Sequence, residues 1–101
     1  MEYNKLVRDK IPEIIKKDNK ESVIHIAGKQ EYFKALIQKL NEEVKEFIEN
    51  PSQEEMADIL EVIDAICEFE EFKRDEINKI KNKKKEERGG FGKRIILDET
   101  K

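Results

Sequence analysis

The sequence predicts a mainly all-α protein: a helical hairpin plus further helices, with a short two-stranded β element beside them. Three observations carry this. Phe33, Leu36, Ile37, Leu40, Val44, Phe47 and Ile48 recur at helical spacing and form one apolar stripe from about Gln30 to Glu49. Asn50-Pro51 then breaks the chain, and Ser52 with Glu55 makes the S-x-x-E box that opens a second helix. Met56, Ile59, Leu60, Ile63, Ile66 and Cys67 continue the helical period to about Glu71. So short a connection folds the two helices back as an antiparallel hairpin.

The remaining elements follow in order. Leu6 to Lys17 reads as a short helix, in which Pro12 suits a first-turn position better than an interior one. Ser22 to Ala27 alternates weakly and carries the β-branched Val23, Ile24 and Ile26, which gives a short strand ending at Gly28. After the hairpin, a Lys-rich helix runs from about Asp75 to Arg88, anchored by Ile77 and Ile80 and ended by Gly89-Gly90. Arg94 to Leu97 reads as a second strand able to pair with the first. No internal repeat or low-complexity linker interrupts the chain, so residues 1–101 read as one domain.

Composition limits what such a domain can do. Of 101 residues 37% are hydrophobic and 45% charged, against about 25% charged in an ordinary globular domain. A chain this short buries only about 65% of the surface that its unfolded form exposes, so a thin core calls for a second subunit. A homodimer is the expectation, and a tetramer would also cover the apolar arcs. No apolar run approaches the roughly 20 residues that a membrane helix needs, and the start of the chain lacks the apolar region of a secretory signal. The expected setting is therefore cytoplasmic, without membrane contact. Cys67 and His25 are the only residues of their kinds. They leave no intrachain disulfide, thiolate zinc site or CxxC motif, and little material for Ser-His or Cys-His catalysis. Any bound metal must take mostly oxygen ligands, which points to Mg2+, with Mn2+ as a substitute.

The net charge of −3 is the remainder of opposed blocks. Lys and Arg outnumber Asp and Glu by nine to six over residues 1–41, fall to three against fourteen over 42–76, and recover to nine against four over 77–101. Carboxylates flanked by cations suit a metal-complexed polyphosphate, and they equally suit solvated helices in a charge-rich protein. Position narrows the choice. On a helical projection Glu43 borders the apolar stripe and Glu46 lies on the same flank, while Glu55 falls inside the second apolar arc and Asp58 at its edge. Glu46 and Glu55 are equally far from the turn, and Glu43 and Asp58 lie one helical turn farther out. An antiparallel hairpin thus forms two facing pairs, close enough for one or two hard divalent ions. Each residue also has a local explanation: Glu55 as the capping-box acid, Glu42 and Glu46 beside Lys45, and Asp58 paired with a lysine.

Glu42-Glu43-Val-Lys-Glu46 followed by Glu55-Met-Ala-Asp58 resembles the EExxE and ExxD signature of the MazG-type all-α NTP pyrophosphatase superfamily. The likeness is strongest to its small phosphoribosyl-ATP pyrophosphohydrolase-like branch, regarded as house-cleaning enzymes for noncanonical NTPs. It extends over most of the chain through the run from Tyr3 to Pro12 and the run from Glu87 to Phe91. The chain departs from the superfamily in the connection, since only eight residues separate Glu46 from Glu55.

The resemblance implies a MazG-like helical bundle and Mg2+-dependent hydrolysis of an NTP to NMP and pyrophosphate. Glu43, Glu46, Glu55 and Asp58 match the metal ligands, and Glu42 is the candidate for positioning or deprotonating the attacking water. Lys5, Arg8 and Lys10 are candidate substrate contacts, Arg8 being able to grip a phosphate bidentately or simply to pair with Asp9 or Glu13. Arg88, Gly89, Gly90 and Phe91 could cradle a phosphate and meet a base, or form a helix C-cap with a hydrophobic contact. His25, Cys67, Phe69 and Phe72 read as packing or surface residues, and Lys83 to Lys85 as a solvated basic face. The competing reading is a non-catalytic helical module that binds nucleic acid or an acidic partner through residues 79–94. Against it stand the acidic net charge and the lack of interleaved aromatics.

Overall fold

The computed structural model describes residues 4–101, so Tyr3 of the N-terminal motif lies outside the described residues. The class is all-α. Among the described residues four helices follow one another: α1 (Ile11–Lys17), α2 (Lys29–Glu49), α3 (Gln53–Phe69) and α4 (Arg74–Arg88). They fall into two compact units, Met1–Ile66 and Cys67–Lys101, and α3 runs across the boundary.

In the first unit, α1 begins at Ile11 rather than at Leu6. Pro12 explains the shift, because its missing N–H and fixed φ are tolerated in a first turn and disrupt an interior. Residues 4–10 ahead of it are irregular. At the other end, Asn19 (φ 59°) turns the chain through the left-handed region, and its N–H donates to the Lys16 carbonyl at 3.0 Å.

The long helix α2 buries Leu36 to 1% exposure, and Val62 of α3 packs at 8%. A three-residue connection, 50–52, leads into α3. Ser52 caps that helix: its Oγ accepts the Glu55 N–H at 3.2 Å, which is half of the capping box. Full burial elsewhere is scarce. Phe33, Ile37, Val44, Ile48, Met56 and Leu60 remain 37–70% exposed along α2 and α3.

The expected two-stranded element is absent, for no strand occurs among the described residues. Residues 22–27 form no regular structure, with Val23 fully exposed and Ile26 at 89%. Residues 94–97 in the second unit likewise form none, with Ile95, Ile96 and Leu97 at 76–80% exposure. β-Branched side chains favour a pleated surface only when a neighbouring strand and a core face receive them, and neither segment has them.

In the second unit, Cys67 is buried and accepts from the Arg74 guanidinium at 3.5 Å. Its carbonyl accepts the Phe72 N–H at 2.9 Å across the turn into α4. Gly89, at φ 84°, closes α4 by donating its N–H to the Lys85 carbonyl at 2.7 Å, a conformation that side-chain-bearing residues seldom adopt.

Candidate metal centre

The hairpin assembles an acidic centre within the first unit. Glu43 comes from the middle of α2, and Glu55 and Asp58 come from the first two turns of α3. One carboxylate oxygen from each lies within 4.8 Å of the others. The geometry follows from the local sequence: the Ser52 cap fixes where α3 begins, so Glu55 and Asp58, three residues apart, project to one side and meet Glu43.

Burial makes this cluster unusual. Glu43 is only 6% exposed. Its Oε1 lies 3.4 Å from Lys39 Nζ, whereas its Oε2 is buried and accepts no hydrogen bond. The Oε2 of Glu55 is in the same condition, since the carboxylate does not complete the return half of the capping box. Buried carboxylate oxygens without donors are strongly disfavoured, and two of the three converging residues carry one. Burial is the main reason that the Glu43 carboxyl is held above its ordinary value of 4.5, the charge of Glu46 adds to the rise, and Lys39 opposes it.

Cations ring the remaining oxygens. Arg8 Nη2 donates to Asp58 Oδ1 at 2.9 Å, and Lys5 Nζ donates to Glu42 Oε1 at 3.2 Å. Lys39 lies between Glu43 and Glu42, the second at 3.8 Å. Thus Glu42, the candidate base, is held by two lysines, and Arg8 pairs with Asp58 rather than with Asp9 or Glu13. Glu46 stands near enough to Glu43 to raise its carboxyl, and it is not one of the three residues whose oxygens converge. A projection treats helices as straight and equidistant from a midpoint; in the folded hairpin Glu43 meets both α3 acids.

The other candidates are not among the three converging acids. Lys10 is exposed at the N-cap of α1. Arg88, Gly89, Gly90 and Phe91 belong to the second unit, where Gly89 caps α4 and the Phe91 ring is 99% exposed. His25 is exposed and shares a 2.8 Å hydrogen bond with Glu31. Lys39 is the residue that sequence reasoning missed. Its signal was the K-x-x-E-E spacing, which places Glu42 and Glu43 three and four residues on, within reach along a helix.

The donor set suits a hard divalent cation. Three carboxylates supply only oxygen, and Oε2 of Glu43 and Oε2 of Glu55 accept no hydrogen bond. No family model, no curated protein and no solved structure matches the chain.

Proposed function

We propose that the chain is a Mg2+-dependent nucleoside triphosphate pyrophosphohydrolase that converts an NTP to NMP and pyrophosphate, with noncanonical nucleotides as its substrates. The observation that carries the metal-dependent part is the convergence of Glu43, Glu55 and Asp58, two of which, Glu43 and Glu55, each hold a buried oxygen that accepts no hydrogen bond. The triphosphate part rests on the resemblance of the EExxE and ExxD motifs to the MazG-type superfamily. Glu43, Glu55 and Asp58 would hold the ion, with Glu46 beside them. A bound Mg2+ supplies charge neutralisation for phosphate oxygens and a lowered pKa for water.

The chain's own residues supply the rest. Lys5 and Arg8 already lie against carboxylates of the same helices, so groups able to bind phosphate and groups able to bind a dication share one face of the first unit. Glu42 can accept a proton once Lys5 and Lys39 turn toward an anionic substrate. A second copy of the chain accounts for the apolar side chains left open on α2 and α3. The active form is accordingly a homodimer in the cytoplasm.

The test is a panel of standard and damaged triphosphates, assayed for pyrophosphate release with and without Mg2+. Turnover that requires Mg2+ and disappears in Glu55→Gln, with helicity and oligomeric state retained, supports the reading. No turnover on any triphosphate, together with no Mg2+ binding by calorimetry, overturns it.

One observation favours a second reading, that the C-terminal unit binds a polyanion. Every residue from 78 to 101 is exposed, and that stretch carries nine Lys and Arg against four Asp and Glu. Binding to a DNA fragment that survives moderate salt and is lost when Lys83 to Lys85 are neutralised would support it. Binding that vanishes at moderate salt in the unaltered chain would count against it.

A further inference from the structure

The segment ahead of α1 has little secondary structure to hold it. Among the described residues, two ion pairs of long sequence separation join it to the hairpin, Arg8 to Asp58 and Lys5 to Glu42. Both are half-open to water: the side chains of Arg8 and Asp58 are 59% and 41% exposed. Pairs of this kind contribute little and exchange readily. Yet Asp58 is one of the three acids whose oxygens converge, so Arg8 occupies a carboxylate that a divalent ion at this centre also requires.

The charges around the centre explain why the two occupants compete. Glu42, Glu43, Glu55 and Asp58, with Glu46 beside Glu43, face Lys5, Arg8 and Lys39, so the acids outnumber the cations and each carboxylate of the centre draws a counter-charge. A dication entering beside Glu43 and Glu55 repels a guanidinium bound to the same Asp58. Glu43 and Glu55 are fixed by helix and burial, and Lys39 is only 22% exposed. Arg8, on an irregular segment, is the group free to leave.

We propose that Arg8 is a metal-gated phosphate ligand: it neutralises Asp58 in the metal-free chain, is released when a divalent ion takes that carboxylate, and then binds a phosphate group of the substrate. This deepens the proposed function and rests on its metal centre. The guanidinium is well suited to both roles, because carboxylate and phosphate present the same pair of oxygen acceptors to its planar fork. The order of binding follows. Metal comes first, and the anion gains its arginine only afterwards, which keeps the site from holding a phosphate group without its counter-ion.

Two measurements on the full chain test this. The first is calorimetry with MgCl2 alone. Arg8→Gln should bind Mg2+ about two- to fivefold more tightly than the unaltered chain, the factor expected when a competing surface ion pair is removed. With Mg2+ in excess, the same variant should bind inorganic pyrophosphate at least tenfold more weakly. An exposed lysine of α1, altered as Lys17→Gln, controls for the loss of one positive charge. The second measurement needs no variant: the Arg8 Nε–Hε resonance of the unaltered chain should shift on adding Mg2+ and shift again with pyrophosphate only when Mg2+ is present. An Arg8 resonance unmoved by saturating Mg2+, or equal or weaker Mg2+ binding by Arg8→Gln, overturns the gating and leaves the metal centre standing. Absence of Mg2+ binding by the unaltered chain overturns both.

Discussion

Glu43 offers the sharpest test of whether this hairpin is organised around an ion. Consider Glu43→Gln, which preserves shape and removes a charge. In the metal-free chain the substitution gives up the 3.4 Å pair with Lys39, which is better buried than an exposed helix pair but keeps Glu42 at 3.8 Å as a second partner for the lysine, a loss of about 1 kcal/mol. Against that loss, the amide nitrogen of glutamine can donate toward the neighbouring acids, whose oxygens converge with that of Glu43. One of those acids is Glu55, with its donorless Oε2. Relieving a buried, unsatisfied group is worth about 1–3 kcal/mol. The balance is a gain of about 1 kcal/mol, or roughly 5 °C in Tm for a domain of this size. With Mg2+ the sign reverses. An ion present at about 100 times its Kd stabilises the unaltered chain by about 2.7 kcal/mol, a gain that the variant forfeits. Thermal unfolding followed by circular dichroism at low salt, with EDTA or with MgCl2, reads both effects. A lower Tm for the variant in EDTA, or an undiminished Mg2+ response, would show that Glu43 is an ordinary structural acid and refute this reasoning.

Three further outcomes follow from the same structure. Ser52→Ala removes the oxygen that accepts the Glu55 N–H and should cost about 1 kcal/mol in chemical denaturation, with Mg2+ affinity reduced as the start of α3 frays. Leu36→Ala, at the best-buried of the described residues, should cost about 2–5 kcal/mol and leave little cooperative unfolding in a calorimetric scan. The raised Glu43 carboxyl sets a pH dependence, with Glu46, Lys39, Glu55 and Asp58 around it. A carboxyl whose folded-state pKa lies above its unfolded value favours folding when protonated. Its contribution is therefore complete below about 4.5 and is lost as pH rises through the raised value. Mg2+ requires the ionised form, so its affinity should increase with pH over that same window, and the slope of stability across it should flatten in Glu43→Gln.

The parts of the fold legible in the sequence were those that one helix writes by itself. The stripe from Phe33 to Ile48, the Ser52 cap and the closing Gly89 are local patterns, and α2, α3 and α4 begin and end within about two residues of where those patterns place them. The strands were misread because β-branching reports a preference that a partner must satisfy, and Val23 to Ile26 and Ile95 to Leu97 have no ladder. At the centre, helical geometry about the Asn50-Pro51 turn set Glu43 opposite Asp58 and Glu46 opposite Glu55, whereas the fold brings Glu43 to both α3 acids and leaves Glu46 out of the converging three. The pairing of Arg8 with Asp58 was not legible, since fifty residues separate them and no periodicity links an irregular segment to a helix face.

The position of the acids separates a functional reading from an accidental one. An acid cluster on a solvated face costs a protein nothing, and in a chain with 45% charged residues it would carry no argument. Glu43 and Glu55 are not on such a face: each turns a carboxylate oxygen away from water and leaves it without a donor. The chain has so few fully buried apolar side chains that Leu or Met at these two positions would enlarge its core where Leu36 and Val62 begin it. A double substitution Glu43→Met and Glu55→Leu should accordingly raise the denaturation midpoint in EDTA while abolishing Mg2+ binding and turnover. Were the two acids needed for folding, the same variant would unfold more easily, and the centre would have to be understood as part of the scaffold.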